Sequence, residues 1–314
     1  MLFLRVHLRG MKADKKEAWA YAGLSLMTLI IGFSFIFVKI ALRYASAIDL
    51  LAHRFTAATA GLLLYYIFYR KSRPAISREN IPTLLLLSLF YPLLLFGFQT
   101  LGLKYTTASE AGILSAITPV ITVILALIFL KEKNSLLQNI CVLLSVSGVV
   151  YIMYRNGLNP VSGASMKGNM LILLSVLSIA FYYVLGRKAN RQYNSMDITL
   201  FMSVTACIVF NLAAITLHLK SGTLSHYFGV FRYSGFLWPI LYLGILSTFL
   251  TSFLGNNALS VIPAAQVSIF NNFSPVLSVF GGVLFLNETL HVWHIIGGVM
   301  VLAGIIGVNI FRNK

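Results

Sequence analysis

The 314-residue chain is poor in charge: only 10% of it is Asp, Glu, Lys or Arg, and acids account for just 8 residues. Soluble domains carry about 25% charged residues. All the acids fall at or near the ends of long apolar runs. Within those runs there is neither a carboxylate dyad nor a paired nucleophile and base, which argues against an enzyme. Cysteine is scarce too. Cys141 and Cys207 both sit in apolar stretches, with no CxxC and no zinc spacing, so they read as small buried hydrophobes rather than a disulfide framework. There is no Walker motif, which excludes ATP hydrolysis by this chain. His291 and His294 follow Glu288 on one helical face, but no fourth ligand stands nearby, so no metal and no cofactor are expected. The N-terminus is basic and lacks an apolar core before a cleavage site, so no removable signal peptide is expected; Met1 and Met11 both remain possible starts.

What the chain has in excess is apolar length. It is 58% hydrophobic, with a mean hydropathy of +0.85. A soluble protein of this size could not bury so much apolar surface, so most of the chain must be solvated by lipid. Runs of about 20 apolar residues predict ten membrane-spanning helices, near 18–40, 49–69, 81–102, 108–130, 136–154, 168–187, 198–219, 236–259, 264–286 and 290–311. Their length excludes barrel strands, which are about 10 residues long and alternate in polarity.

The net charge of +16 would suggest nucleic acid in a soluble domain. Here the cations lie between apolar runs, with no basic helix or aromatic-basic motif, and nucleic acid is not an expected partner. Their distribution instead orients the chain. With the N-terminus inside, sixteen Lys and Arg fall on the cytoplasmic side, among them Arg70, Lys71, Lys131, Arg187 and Lys188. Six fall outside: Arg43, Lys104, Arg155, Lys167, Lys220 and Arg232. Lys39 and Arg54 lie within spans. This asymmetry predicts a multi-pass protein of the cell membrane with both termini cytoplasmic.

Two stretches are nearly the same. TPVITVILALIFLKE runs from Thr118 to Glu132 and SPVLSVFGGVLFLNE from Ser274 to Glu288. The constant offset of 156 also pairs Ala108 with Ala264 and Gly148 with Gly304; earlier, an offset of 148 pairs Lys39 with Arg187 and Asp49 with Asp197. The linker NGLNPVSGASMKG divides two sets of five spans, giving repeats over 18–155 and 168–312. Because five is odd, the second repeat enters the membrane from the opposite side. Such an inverted pair can rock about a midplane site, the geometry that alternating access requires. A pore or a membrane enzyme of duplicated ancestry is the competing class.

The Pro-to-Glu segment in both halves, the Gly that follows it in spans 5 and 10, and the 5+5 plan resemble the drug/metabolite transporter superfamily, in particular its EamA branch of ten-helix bacterial metabolite exporters. The resemblance covers about residues 20–311. Arg54 matches a basic residue common in the first EamA repeat; Met202 stands at that place in the second. The resemblance implies a basket of helices around a central cavity, with spans 5 and 10 peripheral. It implies export of a small metabolite such as an amino acid or a similar zwitterionic or neutral compound. A nucleotide-sugar or phosphorylated-metabolite exchanger of the same superfamily is the alternative.

Several residues can carry that task. Pro119 and Pro275 are expected to kink their helices and free the carbonyls of Ser115 and Asn271. Asn271, Asn272, Asn256 and Gln99 supply neutral amides for substrate or for helix-helix bonds. Ser34 and Tyr182, paired by the 148 offset, fall at similar depths of spans 1 and 6, and the aromatics around them can stack on an apolar substrate. His53 and Arg54, near the start of span 2, are candidates for gating or coupling, with Asp49 as a partner for Arg54. Without a buried acid, facilitated diffusion or exchange is expected, with proton antiport through His53 as the alternative. Lys39 is expected to snorkel. Glu288 and Thr289 are expected to serve the N-terminus of span 10. Small residues on spans 4, 5, 9 and 10 predict close helix approach. Expected partners are a small-molecule substrate and the bilayer, the chain being monomeric or a homodimer.

Overall fold

The computed structural model describes residues 2–69, 76, 78–130, 135–158, 165–192, 195–254 and 273–311. Among these residues every regular element is helical. The helices are α1 (Leu2–Ala41), α2 (Ala47–Tyr69), α3 (Ile81–Ser88), α4 (Leu95–Tyr105), α5 (Ala108–Ser115), α6 (Thr118–Leu130), α7 (Leu136–Leu158), α8 (Met166–Gln192), α9 (Ser195–Ser221), α10 (Leu224–Gly229), α11 (Ser234–Leu241), α12 (Ser274–Leu286) and α13 (Val292–Ile310). Among the described residues, eight stretches are long and apolar enough to cross a membrane: Ala18–Ala41, Ala47–Phe68, Arg78–Tyr105, Ala108–Phe129, Leu136–Arg155, Met166–Leu185, Met196–Ser221 and Ser234–Leu254. Ser274–Leu286 and Val292–Val308 are shorter apolar helices. The expected first half of span 9 lies outside the described residues.

Local chemistry sets many of the boundaries. Ser46 caps α2, its Oγ accepting from the Asp49 amide at 3.2 Å. Thr107 caps α5 by accepting from the Glu110 amide at 3.1 Å. Ser135 does the same for α7 through Gln138, as its position predicts. The expectation fails at span 10, whose helix begins at Val292 with His291 as its cap, not Thr289.

Among the described residues two spans are interrupted, and a third widens into a π-helix without breaking. In span 3 a π-turn over Leu89–Leu94 separates α3 from α4, and Tyr91 adopts φ −137°, ψ 114°. Pro92 is the cause: it disfavours the helical region for the residue before it and brings no N–H of its own. In span 8 the helix takes the wider π form over Tyr242–Leu250. In span 4 the helix stops at Ser115 and restarts at Thr118. The break falls just before Pro119, which sits at the second position of α6, where a helix needs no N–H; Pro275 holds the same position in α12, and the residues before Phe273 lie outside the described residues.

The packing joins the two halves throughout. Span 2 packs on span 7 (α2 on α9), and span 5 on span 10 (α7 on α13). Span 4 packs on span 9 (α5 on α12), and the remaining large contacts come in matched couples. Span 1 packs on span 9 (α1 on α12) as span 6 packs on span 4 (α8 on α6). Span 2 packs on span 8 as span 7 packs on span 3, and span 1 on span 8 as span 6 on span 3. The expected small residues permit the closest of these approaches. A Cβ on Gly148 would lie 2.7 Å from the Gly297 carbonyl, and Ser145 Oγ donates to the Val301 carbonyl at 3.0 Å across the same seam. Outside, residues such as Ile67, Phe68, Leu143, Ile295 and Val299 expose large apolar surface, as lipid-facing side chains do.

Candidate functional site

Arg54 is the most unusual side chain in the molecule. It is 1% exposed and lies in the second turn of α2. Its Nε and one terminal nitrogen both donate to Thr248 Oγ1 at 3.3 Å. The guanidinium carbon stands 4.1 Å from the centre of the Phe96 ring and 5.9 Å from that of Phe55. Phe55 also stacks on Phe210 at 5.6 Å. Beyond Phe96 lie Tyr91, 5.6 Å away, and Tyr182, 5.0 Å from Tyr91. No carboxylate bonds the guanidinium among the described residues. The expected partner, Asp49, instead accepts from His218 Nε2 at 2.9 Å and from Ser46 Oγ at 2.8 Å. Five residues of helix put Asp49 and Arg54 about 140° apart, so they cannot face one partner.

The chain builds this cluster from both halves. A Cβ on Gly244 would lie 2.6 Å from the Ala57 Cβ and 2.8 Å from the Arg54 carbonyl, so the backbones of α2 and span 8 touch. One turn further along, Thr248 is thereby brought to Arg54; its hydroxyl donates to the Leu243 carbonyl at 2.9 Å and so keeps its lone pairs for the guanidinium. The break at Pro92 turns Tyr91 toward Phe96. Among the described residues, three further buried hydroxyls lack a protein partner: Thr59 on α2, Thr100 on α4 and Ser115 on α5. Polar groups in that state inside a membrane need water or a ligand.

The expected site residues divide accordingly. Arg54 and Tyr182 come together through Tyr91 and Phe96. His53 does not join them. Its Nε2 donates to the Tyr227 carbonyl at 3.0 Å, and its ring packs against Tyr227 (4.3 Å), Phe231 (4.6 Å) and Phe236 (5.7 Å) in the connection between spans 7 and 8. Burial, with Asp49 nearby, pushes the Tyr227 phenol up to about 12; it donates to Asn211 Oδ1 at 2.5 Å. Ser34 is turned to its own helix, donating to the Ile31 carbonyl at 2.6 Å. The Ser115 carbonyl accepts from Thr118 Oγ1 at 2.6 Å, so it is not left bare. Gln99 is half-buried on α4, next to Thr100. Asn256, Asn271 and Asn272 lie outside the described residues. Thr248, Phe96 and Tyr91 were not anticipated; the Tyr-Pro pair within an apolar span was the available signal for Tyr91.

A second polar cluster closes the end of the bundle where Lys104 and Lys167 lie. Glu288, between α12 and α13, accepts from the amides of Ala108 and Ser109 at 2.7 and 2.8 Å and from Ser109 Oγ at 2.7 Å. It thus caps α5, not span 10 as expected, because α5 presents its free N–H groups and positive dipole end there. Lys39 does not snorkel. Its Nζ donates to the carbonyls of Leu103 and Thr106 at 3.0 and 2.7 Å, at the C-terminal end of α4. Glu110 accepts from Asn169 Nδ2 at 2.6 Å, and Asn169 Oδ1 accepts from Thr106 Oγ1 at 2.8 Å, which ties α8 to the same point.

Residues 18–154 and 166–310 each match the EamA-like transporter family. The uncharacterized transporter YcxC of Bacillus subtilis is 42% identical over 295 residues, covering 94% of this chain and 94% of that protein. The uncharacterized transporter YetK of the same bacterium is 27% identical, covering 96% and 89%. A WAT1-related protein of Arabidopsis thaliana is 24% identical, covering 87% and 82%. One crystal structure shares the fold at 14% identity with a TM-score of 0.60, covering 93% of this chain and 95% of the other.

Proposed function

Because the chain belongs to the EamA-like transporter family, a family of membrane transporters and not of enzymes, we propose that it is a secondary carrier of the cell membrane that exports a small metabolite by alternating access. The substrate we propose carries a carboxylate, as an amino acid or a similar zwitterion does. The observation behind this reading is the uncompensated Arg54 cation, held between span 2 of one repeat and Thr248 of the other. A buried cation without an acid is costly on its own. A substrate carboxylate would neutralise it through two parallel N–H···O bonds, and the rings of Phe96, Tyr91 and Tyr182 would pack on the rest. A phosphorylated substrate is less well served, since it would call for a second cation and Lys39 is committed to backbone carbonyls.

The matched packing couples between the halves support two inverted five-helix repeats related by a pseudo-two-fold axis. The Lys39 and Glu288 cluster lies at the end that the charge distribution assigns to the outside, which fits a carrier with its outer side shut. The proposed orientation has both termini in the cytoplasm, and the proposed mode is facilitated diffusion or exchange, His53 being held by a backbone carbonyl away from Arg54. The test is proteoliposome uptake from a mixed metabolite pool, read by mass spectrometry. Compounds bearing a carboxylate should move and their neutral amides should not. If nothing moves, or if amides move equally well, the reading is wrong. Accumulation that follows an imposed pH gradient and disappears in His53→Ala would replace exchange with proton antiport.

A further inference from the structure

Between α5, α12 and α13 lies a cleft of about 180 Å³, away from Arg54 and on the apolar outer surface. Ile113, Ala116, Pro275, Val279 and Leu302 form its floor and walls, and Val276, Ile295 and Val299 stand largely exposed along its rim. Among the described residues that line it, His294 is the one titratable group. That side chain is 4% exposed. Its Nδ1 accepts from the His291 amide at 3.2 Å, which places the ring proton of neutral imidazole on Nε2. Nε2 is buried and bonds nothing among the described residues. The cleft thus presents one unmet N–H donor at the head of an apolar trough. A water molecule there would lack the two to four polar partners it needs.

The level of the donor narrows the ligand. His294 is in the first turn of α13. Beside it Trp293 lies under the Arg155 guanidinium, 5.2 Å away, and stacks with His291 at 4.2 Å. Tryptophan and a cation in this arrangement mark the interfacial zone of a bilayer. From His294 the trough runs along α13 to Leu302, about 12 Å deeper at the helical rise.

We propose that this cleft is a binding site for a diacyl phospholipid, one acyl chain lying in the trough and its ester carbonyl accepting from His294 Nε2. The bound chain touches Ala116, where span 4 is interrupted and restarted, and Pro275 in the first turn of α12, so the lipid braces the break in span 4 against the other half.

The test uses the full chain in detergent, exposed to an equal mixture of a diester phosphatidylglycerol and its diether analogue, which lacks both carbonyls, and read by native mass spectrometry. One lipid should remain bound, the ester preferred by about tenfold, the value of a single hydrogen bond. His294→Leu should erase that preference. Gly298→Leu should abolish retention, because a Cβ there meets only an Ile113 methyl at 3.9 Å and the new side chain fills the trough without displacing backbone. No retained lipid, equal retention of ester and ether by the native chain, or undiminished retention in Gly298→Leu would each overturn the proposal. The ester–ether comparison needs no variant and decides the matter even if a substitution impairs folding.

Discussion

Replacing Arg54 by Met separates a substrate-binding cation from a structural one, because the two roles predict opposite signs. The guanidinium is 1% exposed, so the native chain carries the desolvation cost of a full charge, several kcal/mol in a protein interior. Against that stand the ring of Phe96 at 4.1 Å, worth about 2 kcal/mol for a desolvated cation, and two bonds to one hydroxyl, long at 3.3 Å. Those returns roughly match the cost. Met has a similar stem and no charge, so Arg54→Met should leave the thermal midpoint unchanged or raise it by a few degrees. Transport should behave differently. Losing one partner of a buried, hydrogen-bonded charge pair costs about 2–5 kcal/mol, or roughly 30- to 5,000-fold in affinity. Thermal unfolding of the purified protein and uptake into proteoliposomes, measured on the same preparation, read the two effects. A fall of many degrees, or transport within twofold of the native rate, would refute the argument.

Gly244→Ala should widen the contact between α2 and span 8, since the added methyl would meet the Ala57 Cβ at 2.6 Å and the Arg54 carbonyl at 2.8 Å. Overpacking of this kind costs about 1–3 kcal/mol, and transport should drop with it as Thr248 is drawn off the guanidinium; an unchanged melting midpoint would count against the packing argument. Glu288→Gln keeps the shape but sets an NH₂ group against amide donors of α5, costing about 1–3 kcal/mol. Hydrogen exchange at Ala108 and Ser109 should then accelerate, whereas unaltered protection would show that Glu288 does not hold this end shut.

Much of the architecture was legible because its signals are local or periodic. A run of about 20 apolar residues can be solvated only by lipid, and only as a helix. The offset of 156 exposed the duplication without any contact being known. The close approach at Gly148 and Gly304 was read correctly because small-residue faces depend on neighbours a turn away. Arg54 stood out because a cation inside an apolar run is costly wherever it points.

Partner choice across the bundle was not legible. Glu288 caps a helix whose first residue is 180 positions away, and Lys39 meets carbonyls more than 60 residues on. Asp49 takes His218, not Arg54, and the adjacent His53 and Arg54 face different surroundings. The apolar pattern alone thus determined that the chain crosses a membrane as a duplicated set of helices. Which polar groups meet, and which are left for a ligand, depended on helix rotation and on the breaks at Pro92 and before Pro119. A rotation of about 100° per residue redirects a side chain without changing the apolar content that sequence reading detects.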